Sequence, residues 1–542
     1  MLFPVHRAGT AAADRSWLPR VTPAALSAIA LVLAAAPLAA HAEDGPPPPL
    51  KQFGDRPLTD SDDVFTNEKP VDLAESIDFG GGSNALTNTN TITIGAKATA
   101  PVSVSMLQLE ALKNSGLVEL RNGRAGDVLT LSGDYNGSGK ARLGLDIGPG
   151  GVDRLVVGDV ANGKTAVVLG GVTAKTATLT GDKGPVLIQA GAGSKADAFS
   201  IENAEVGFIR YGLVQDTAAD KSVTYRLTGV AGQRAYEMLK VSEGVRDVWR
   251  QSAEAWSGHL ANLRDAGDEA NGAGVWAQAF GNRTDRDDTL GTKTSPVELD
   301  YRQTTYGGQM GVDLINAGID DGRVILGVTG GYADARQRFS GVGAQTVKLR
   351  VANIGGYLGM TRGGFFLNAL AKVDRQSIKA ANGPDAIDLD FDGTAWGGQV
   401  EAGARSENDG VIFEQLLSIN YVSSRLDDVD AFAQKLDFDN TTGFVAKAGV
   451  RGALQGEALG GVFTSYGAAF VVHDFTVKNG LTLVSGDRSE HLSKDGGRTF
   501  GQLTVGLSYR AGGAMVTFLE GTGESGGGRS GGGARLGVRV GF

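Results

Sequence analysis

A two-residue alternation of apolar and polar side chains dominates the C-terminal half of the chain, from residue 275 to residue 542. In its last segment, Leu536, Val538 and Val540 alternate with arginine and glycine, so one face is apolar and the other is polar. A period of two residues is typical of a β-strand with two different faces. Turns divide the region into twelve such segments, which begin at Val275, Tyr301, Arg323, Thr346, Gly364, Ile387, Gly410, Thr441, Gly460, Arg498, Ala514 and Ala534.

Alternation alone also fits a soluble sandwich, but three further features favour a membrane barrel. The number of segments is even, and each is long enough for the roughly 9–11 residues that cross a bilayer at a tilt. Turns at residues 362–364 and 408–410 are short, whereas residues 282–300 and 479–497 form long polar loops. The polar faces carry charges, as in a wet lumen. We therefore predict an all-β protein in which residues 269–542 form a closed, 12-stranded antiparallel transmembrane β-barrel.

The N-terminal segment has the layout of a secretory signal. Arginines precede an apolar stretch at residues 24–40, which ends in the small-x-small pattern Ala40-His41-Ala42. We predict a signal peptide over residues 1–42 that is removed after Ala42. The alternative is an uncleaved anchor, which a proline inside the apolar stretch disfavours.

Two segments of different composition follow the signal. Residues 43–100 are acidic and contain four consecutive prolines and a Gly-Gly-Gly-Ser tract, which predict a flexible extension. Residues 101–236 contain short alternating runs between glycine and asparagine turns, such as residues 128–131. Short strands without intervening helices favour a stacked parallel β-helix, and a β-sandwich is the alternative.

The segment before the barrel has the periodicity of an amphipathic helix. No proline occurs between Pro185 and Pro296, and charged residues cover one side of the segment. We predict a linker helix over residues 237–268 whose charged face meets water or a polar cavity. The apolar side recurs at steps of three and four residues and consists of Met238, Val241, Val245, Val248, Trp249, Ala253, Trp256, Leu260 and Leu263.

Composition excludes several kinds of chemistry. The chain has no cysteine, so it has no disulfides, no thiolate zinc site and no cysteine nucleophile. A net charge of −10 argues against nucleic-acid binding. No histidine lies between residues 43 and 240, so a Ser-His-Asp enzyme there would lack its general base. We predict that the protein is not an enzyme and has no catalytic, cofactor-binding or metal-binding residues.

Two motifs in the barrel region suggest other chemistry. Asp388, Asp390 and Asp392 match the opening of a calcium loop, but position 399 is glutamine where the closing glutamate is required. We expect these aspartates to face inward or to lie above the membrane, and the apolar residues Ile387, Leu389 and Phe391 to face outward. His473 suggests a barrel lipase, although a solitary strand histidine is usually structural.

The order of these segments resembles the autotransporters, the type V self-secretion proteins of Gram-negative bacteria. The string LTLSGDYNGSGKARLGLDI within residues 128–147 and KGPVLIQAGAGSKADAFSI at residues 183–201 look like the last coils of a pertactin-like passenger. The strings VWAQAFG, DFDGTAWGGQVEAGAR, FEQLLSINY and LGVRVGF resemble strands of the family's barrel. The resemblance covers roughly residues 128–542.

The resemblance implies a short, right-handed parallel β-helix passenger and a barrel in the cell outer membrane that exports this passenger and displays it on the cell surface. It also implies a monomer that is surrounded by outer-membrane lipid and is inserted by the barrel-assembly machinery with periplasmic chaperones. We expect the helix to thread the lumen and to meet Glu401, Glu414 and Arg539 there. The ligand of the passenger stays open, as does cleavage of the linker at Asn262 or Asn271.

Two other functions are alternatives to export. The first is a porin-like or structural outer-membrane barrel with an N-terminal binding extension, for which removal of residues 241–263 would not raise the conductance. The second is the barrel lipase, whose phospholipase activity would be lost in His473→Ala.

Overall fold

The computed structural model describes residues 49–181, 183–267, 271–292, 295–319, 321–341, 344–384, 387–494, 497–512 and 515–542. In this part of the chain a β-solenoid is followed by two helices and a β-barrel. The predicted signal peptide, residues 1–42, lies outside the described residues.

The N-terminal solenoid is built from short strands that stack in parallel. Equivalent strands of successive coils pair in parallel in three sheets, one of which ends in antiparallel strands within residues 205–231. The alternating inner side chains, such as Ile92 and Val118, are fully buried between the sheets. The strands are β1 (Gln52–Phe53), β2 (Arg56–Pro57), β3 (Val64–Asn67), β4 (Val71–Leu73), β5 (Ile77–Asp78), β6 (Ala85–Asn88), β7 (Thr91–Ile94), β8 (Ser103–Leu107), β9 (Ala111–Asn114), β10 (Leu117–Glu119), β11 (Val128–Leu131), β12 (Asp134–Gly137), β13 (Arg142–Gly148), β14 (Gly151–Val152), β15 (Arg154–Val157), β16 (Ala161–Gly163), β17 (Thr165–Gly170), β18 (Val186–Ala190), β19 (Phe199–Ile201), β20 (Glu205–Val206), β21 (Ile209–Thr217) and β22 (Val223–Ala231).

The solenoid starts well before residue 101, so the predicted flexible extension over residues 43–100 is wrong for residues 49–100. β3 pairs in parallel with β6, and β7 pairs in parallel with β10. The glycines that suggested flexibility lie in tight turns; a Cβ on Gly80, whose φ is 78°, would lie 2.1 Å from the carbonyl oxygen of Thr59. Four-residue runs bury their inner face only when a neighbouring coil covers it, which composition does not reveal.

A row of buried polar side chains connects successive coils. The Asn67 side-chain amide donates to Asn88 Oδ1 at 2.8 Å, and Asn88 donates to Asn114 Oδ1 at 2.9 Å. Asn114 in turn donates to the Tyr135 hydroxyl at 3.0 Å. Because each buried polar group finds a partner in the next coil, the row fixes the register of the stack.

Replacing one member of this row should destabilise the solenoid. We expect Asn88→Ala to lower its free energy of unfolding by about 1–3 kcal/mol, because Asn67 and Asn114 each lose a buried hydrogen-bond partner. Urea unfolding followed by far-ultraviolet circular dichroism measures the change. Lys113→Ala, at an exposed position of β9, is the control and should stay within about 0.5 kcal/mol of wild type; an equal effect of both variants would contradict the role of the row.

A second prediction concerns a buried carboxyl group between β14 and β15. Asp153 accepts hydrogen bonds from the backbone N–H groups of Gly126, Asp127 and Asp146, yet burial outweighs these bonds and raises the pKa of its carboxyl group to about 6. Protonation of the Asp153 carboxyl group therefore stabilises the folded solenoid. This stabilisation is lost as the pH rises from about 4 to above 6. We expect Asp153→Asn to reduce the difference in unfolding free energy between pH 4 and pH 7 by about 1–3 kcal/mol. An unchanged pH profile of the variant would contradict this assignment.

The two helices follow the solenoid directly. α1 covers Gln233–Leu239 and α2 covers Val241–Ala266, close to the predicted linker helix. α2 lies inside the barrel, where both its apolar stripe and most of its charged side chains are buried. Among the described residues, no helix is both long and apolar enough to cross a membrane.

Twelve antiparallel strands close into the barrel, as predicted. The strands and loop strands of this region are β23 (Gly274–Arg286), β24 (Thr289–Thr292), β25 (Ser295–Glu298), β26 (Tyr301–Ile319), β27 (Gly322–Phe339), β28 (Thr346–Arg362), β29 (Phe365–Asn382), β30 (Ile387–Asn408), β31 (Val411–Leu426), β32 (Val429–Ala431), β33 (Gln434–Phe438), β34 (Thr441–Ala458), β35 (Gly461–Lys478), β36 (Gly480–Ser485), β37 (Arg488–Ser493), β38 (Arg498–Ala511), β39 (Met515–Gly526) and β40 (Arg529–Gly541). The barrel order is β23, β26, β27, β28, β29, β30, β31, β34, β35, β38, β39 and β40. β40 pairs with β23 over the full length of both strands, so no strand edge is left open.

The barrel is apolar outside and polar inside, which confirms the predicted orientation of the strands. Met310, Ile354 and Leu503 are exposed on the outer surface, whereas Gln303 and Gln309 are buried in the lumen. This is the inverse of a soluble barrel and fits a hydrocarbon environment.

The two ends of the barrel differ. Turns at one end are tight, and Gly363 and Gly364 both have positive φ there. The other end carries longer connections that form a β24–β25 hairpin and a four-stranded sheet of β32, β33, β36 and β37. We call this four-stranded sheet the loop sheet.

At the loop end, the predicted outward orientation of Ile387, Leu389 and Phe391 is wrong. Asp388 and Asp390 are exposed on the outer face of β30, and the apolar residues between them point inward. Phe391 stacks on Phe438 of the loop sheet at a centroid distance of 5.4 Å. The strand continues beyond the membrane there, and loops fill the interior, so the apolar face turns inward as in a soluble protein.

Candidate functional site

Helix α2 fills the lumen by packing its apolar stripe closely against the wall. The Gln303 side chain donates to the Gly244 carbonyl oxygen at 3.2 Å, and a Cβ on Gly244 would lie 2.7 Å from Gln303 Oε1. Further along, Lys372 Nζ lies 4.4 Å from the centre of the Trp249 indole ring. The wall thus contacts the backbone of the helix at Gly244 and an aromatic ring of the helix at Trp249, where the contact is a cation–π interaction.

The charged side of α2 forms ion pairs with the wall near the loop end. Asp247 accepts from Arg286 at 3.2 Å and from Arg529 at 3.0 Å. One turn later Arg250 donates to Glu524 at 3.2 Å, and Arg529 links Glu524 to Asp247. These five side chains form a continuous buried network between helix and barrel.

About three quarters of the way along α2, Asp313 is the centre of a second polar group. This residue has no exposed surface, and His259 of the helix lies 2.8 Å from its carboxylate. From the wall, Tyr357 donates to Asp313 at 2.6 Å and Arg539 at 2.7 Å. A single wall carboxylate therefore holds the helix through His259 and is itself compensated by Arg539.

A third network lies at the tight-turn end. Arg264 of the helix and Arg451 of the wall both donate to the fully buried Glu414 at 3.3 Å. Arg405 donates to Asp265 of the helix at 2.7 Å, and Arg451 also pairs with Asp265. The last turn of α2 is therefore fixed by charges of both signs, each with a partner in the wall.

The sequence predicted some of the lumen residues that interact with the helix. Glu414 contacts the helix directly, and Arg539 does so through Asp313, as expected. Glu401 instead accepts a hydrogen bond from Asn368 at 3.1 Å within the wall. Asp313 was missed, although it lies at an inward position of an alternating strand, because only the strand register shows which inward residue is level with His259.

A polar cavity remains beside the helix at the loop end. The cavity has a volume of about 400 Å³ and is lined by Arg246, Arg250, Asp474 and other charged residues. Its lining includes Asp247, Arg286 and Arg529 of the ion-pair network.

The loop sheet contacts the base of the solenoid. The backbone N–H of Ala231 donates to Glu490 at 2.7 Å, and that of Leu179 donates to Ser485 Oγ at 3.3 Å. Gln434 donates to the Ala177 carbonyl oxygen, and Asn479 donates to that of Leu239 at 2.9 Å. The loops of the barrel thus bind the last coil of the solenoid and α1 through hydrogen bonds.

The remaining candidates belong to none of these three polar networks. His473 lies on the outer side of β35, with Nδ1 2.7 Å from Thr499 Oγ1. Asn262 is a buried residue of α2, and Asn271 follows the helix. Within the described ranges, no three histidine or acidic side chains are arranged to hold a metal ion.

Comparison with known proteins decides the family of the barrel. Residues 275–522 match the family model of the autotransporter beta-domain. The barrel is an autotransporter beta-domain. A barrel of this family lies in the outer membrane and exports an N-terminal passenger, and in this chain the solenoid stands in the passenger's place. The loop end of the barrel therefore faces outward, and the tight turns face the periplasm.

Solved translocator domains are similar to the autotransporter barrel at low identity. The β-domain of the Bordetella autotransporter BrkA is 18% identical and has a TM-score of 0.40, with 50% of this chain and 100% of that chain covered. The transport unit of AIDA-I from Escherichia coli is 15% identical with a TM-score of 0.42, covering 50% and 90%. The translocator domain of NalP from Neisseria meningitidis is 14% identical with a TM-score of 0.39, covering 55% and 98%. No curated protein matches the chain.

Proposed function

We propose that this autotransporter displays its solenoid on the cell surface as a non-enzymatic module that stays attached to the barrel. The observation that carries the proposal is the double attachment of the passenger. α2 is held in the lumen by three buried polar networks, and the solenoid base lies on the loop sheet.

Stacking of the coils supplies a driving force for export. No nucleotide-binding motif occurs in the sequence, whereas each coil that folds outside buries apolar side chains such as Leu129 and Leu155. The loop sheet offers hydrogen-bond partners to the coil next to the barrel, so this coil folds first and the others stack on it. The folded solenoid then biases the chain against return through the lumen.

Assembly in the membrane requires partners outside this chain. We propose that periplasmic chaperones hold the unfolded chain and that the barrel-assembly machinery inserts it as a monomer surrounded by outer-membrane lipid. An unfolded barrel exposes unpaired strand edges that a hydrocarbon phase cannot satisfy, which is why closure of β40 against β23 has to accompany insertion.

Cell fractionation tests the attachment. We expect the boiled outer-membrane fraction to show solenoid and barrel in one polypeptide, and the culture medium to contain no solenoid. A chain that lacks residues 529–542, and with them β40, is the matched control and should show no solenoid at the surface, because its barrel cannot close. A barrel-sized fragment in the membrane together with free solenoid in the medium would contradict display as the function.

A further inference from the structure

A group of basic side chains lies on the outward face of the barrel rather than in its lumen. It consists of Arg302 on β26, Arg336 and Arg338 on β27, and Lys348 and Arg350 on β28, and we call it the outer basic cluster. All five side chains are exposed and line one surface cavity of about 360 Å³. On the outer face of a membrane barrel, charge is expected only outside the hydrocarbon band, where it contacts water or charged lipid headgroups.

The strand register brings like charges together in this cluster. Arg302 lies directly opposite Arg338 on the neighbouring strand, and Arg336 lies directly opposite Lys348. Like charges in such cross-strand positions destabilise a sheet. An anion bound at this face would therefore reduce the repulsion between the two pairs.

Protein carboxylates compensate only the edges of the cluster. Asp285 pairs with Arg302 at 2.6 Å, and Asp334 lies 3.8 Å from Arg350. In the part of the chain that the structure describes, the three cations at the centre have no ion-pair partner; they are Arg336, Arg338 and Lys348.

The height of the cluster along the barrel identifies the leaflet. Exposed apolar residues such as Met310, Val328 and Ile354 form the membrane band of these strands, and Tyr306 and Tyr332 lie at its loop end. Tyrosines in this position mark the membrane–water interface. Arg336 follows Tyr332 by four residues in the outward direction, so the cluster lies level with the headgroups of the outer leaflet.

We propose that the outer basic cluster binds the phosphate groups of a phosphorylated glycolipid of the outer leaflet, of the lipid A type. Arginine guanidinium groups match phosphate oxygens in bidentate geometry, and two or three cations at one place suit a headgroup that carries more than one phosphate. The acyl chains of such a lipid would lie along the apolar band below the cluster, and its sugars would contact the tyrosines at the band's edge. The phosphates of this lipid would compensate the like charges that the register of β26, β27 and β28 brings together.

Native mass spectrometry of the full-length protein in mild detergent tests the site. We expect wild type to retain lipid A, and the variant Arg336→Gln, Arg338→Gln, Lys348→Gln to retain roughly tenfold less. The matched control removes the same charge from exposed positions of the solenoid, through Lys113→Gln, Lys140→Gln and Lys175→Gln, and should bind as wild type does. Equal lipid retention in both triple variants would overturn the proposal.

A second measurement keeps the protein unchanged. Wild type is titrated with lipid A, with enzymatically dephosphorylated lipid A and with phosphatidylglycerol. We expect affinity to fall roughly tenfold without the phosphates and to be weaker for phosphatidylglycerol, which has one phosphate. Equal affinity for the dephosphorylated lipid would refute phosphate recognition, and equal affinity for phosphatidylglycerol would refute selection of a glycolipid.

Discussion

A barrel without its lumen helix should conduct ions at least roughly tenfold better than one that keeps it. The comparison uses two shortened chains that both lack the solenoid, one covering residues 233–542 and the other residues 267–542. They differ only in α1 and α2. Single-channel recording in a planar lipid bilayer measures the conductance of each.

The large effect follows from the way α2 occupies the lumen. The helix contacts the wall along its whole length, and the space that remains beside it at the loop end is about 400 Å³. Once the helix is removed, inward side chains such as Gln303, Asp313 and Glu414 line an open aqueous path. Equal conductance of the two chains would mean that the helix does not block the pore, and would favour the porin-like alternative.

Loss of the Asp313 carboxylate should destabilise the barrel with its helix by about 3–5 kcal/mol. Asp313→Ala leaves Arg539 buried without its partner and removes the acceptor for Tyr357 and the contact with His259. Removing one member of a buried ion pair is costly, because the remaining charge stays away from water. The change is measured as a fall in the temperature at which the folded barrel band converts to the unfolded band on a gel.

An exposed ion pair provides the control for this prediction. Asp321 pairs with Arg362 at 3.0 Å at the periplasmic turns, where both side chains are more than half exposed. Asp321→Ala should therefore cost less than about 1 kcal/mol. If the two aspartate variants shifted the transition temperature equally, the central role of Asp313 would be refuted.

The alternation of side chains predicted the barrel strands well, because nearly every outward residue that contacts lipid has to be apolar. Lipid contact requires an apolar face over the whole span, so the pattern in β38 is visible without knowledge of the register. Outward residues no longer have to be apolar where the strand leaves the membrane. Ile387 and Phe391 point inward for that reason, against the prediction made from the pattern alone.

The solenoid start and the lumen contacts depend on neighbours that a single sequence does not show. β3 and β4 are short runs between turns and become regular only when the next coil pairs with them. In the lumen, alternation identifies Asp313 and Glu414 as inward residues. Their pairing with His259 and Arg264 also depends on how far the helix is inserted, which is set by the sum of many contacts.

Surface labelling of intact cells tests the export of the solenoid most directly. Because the chain has no cysteine, a single introduced thiol reports its own side of the membrane without background. A membrane-impermeant maleimide should label Lys113→Cys on the solenoid in intact cells, and should label Arg362→Cys at the tight-turn end only after the outer membrane is permeabilised. Labelling of Lys113→Cys only after permeabilisation would place the solenoid in the periplasm and contradict export through this barrel.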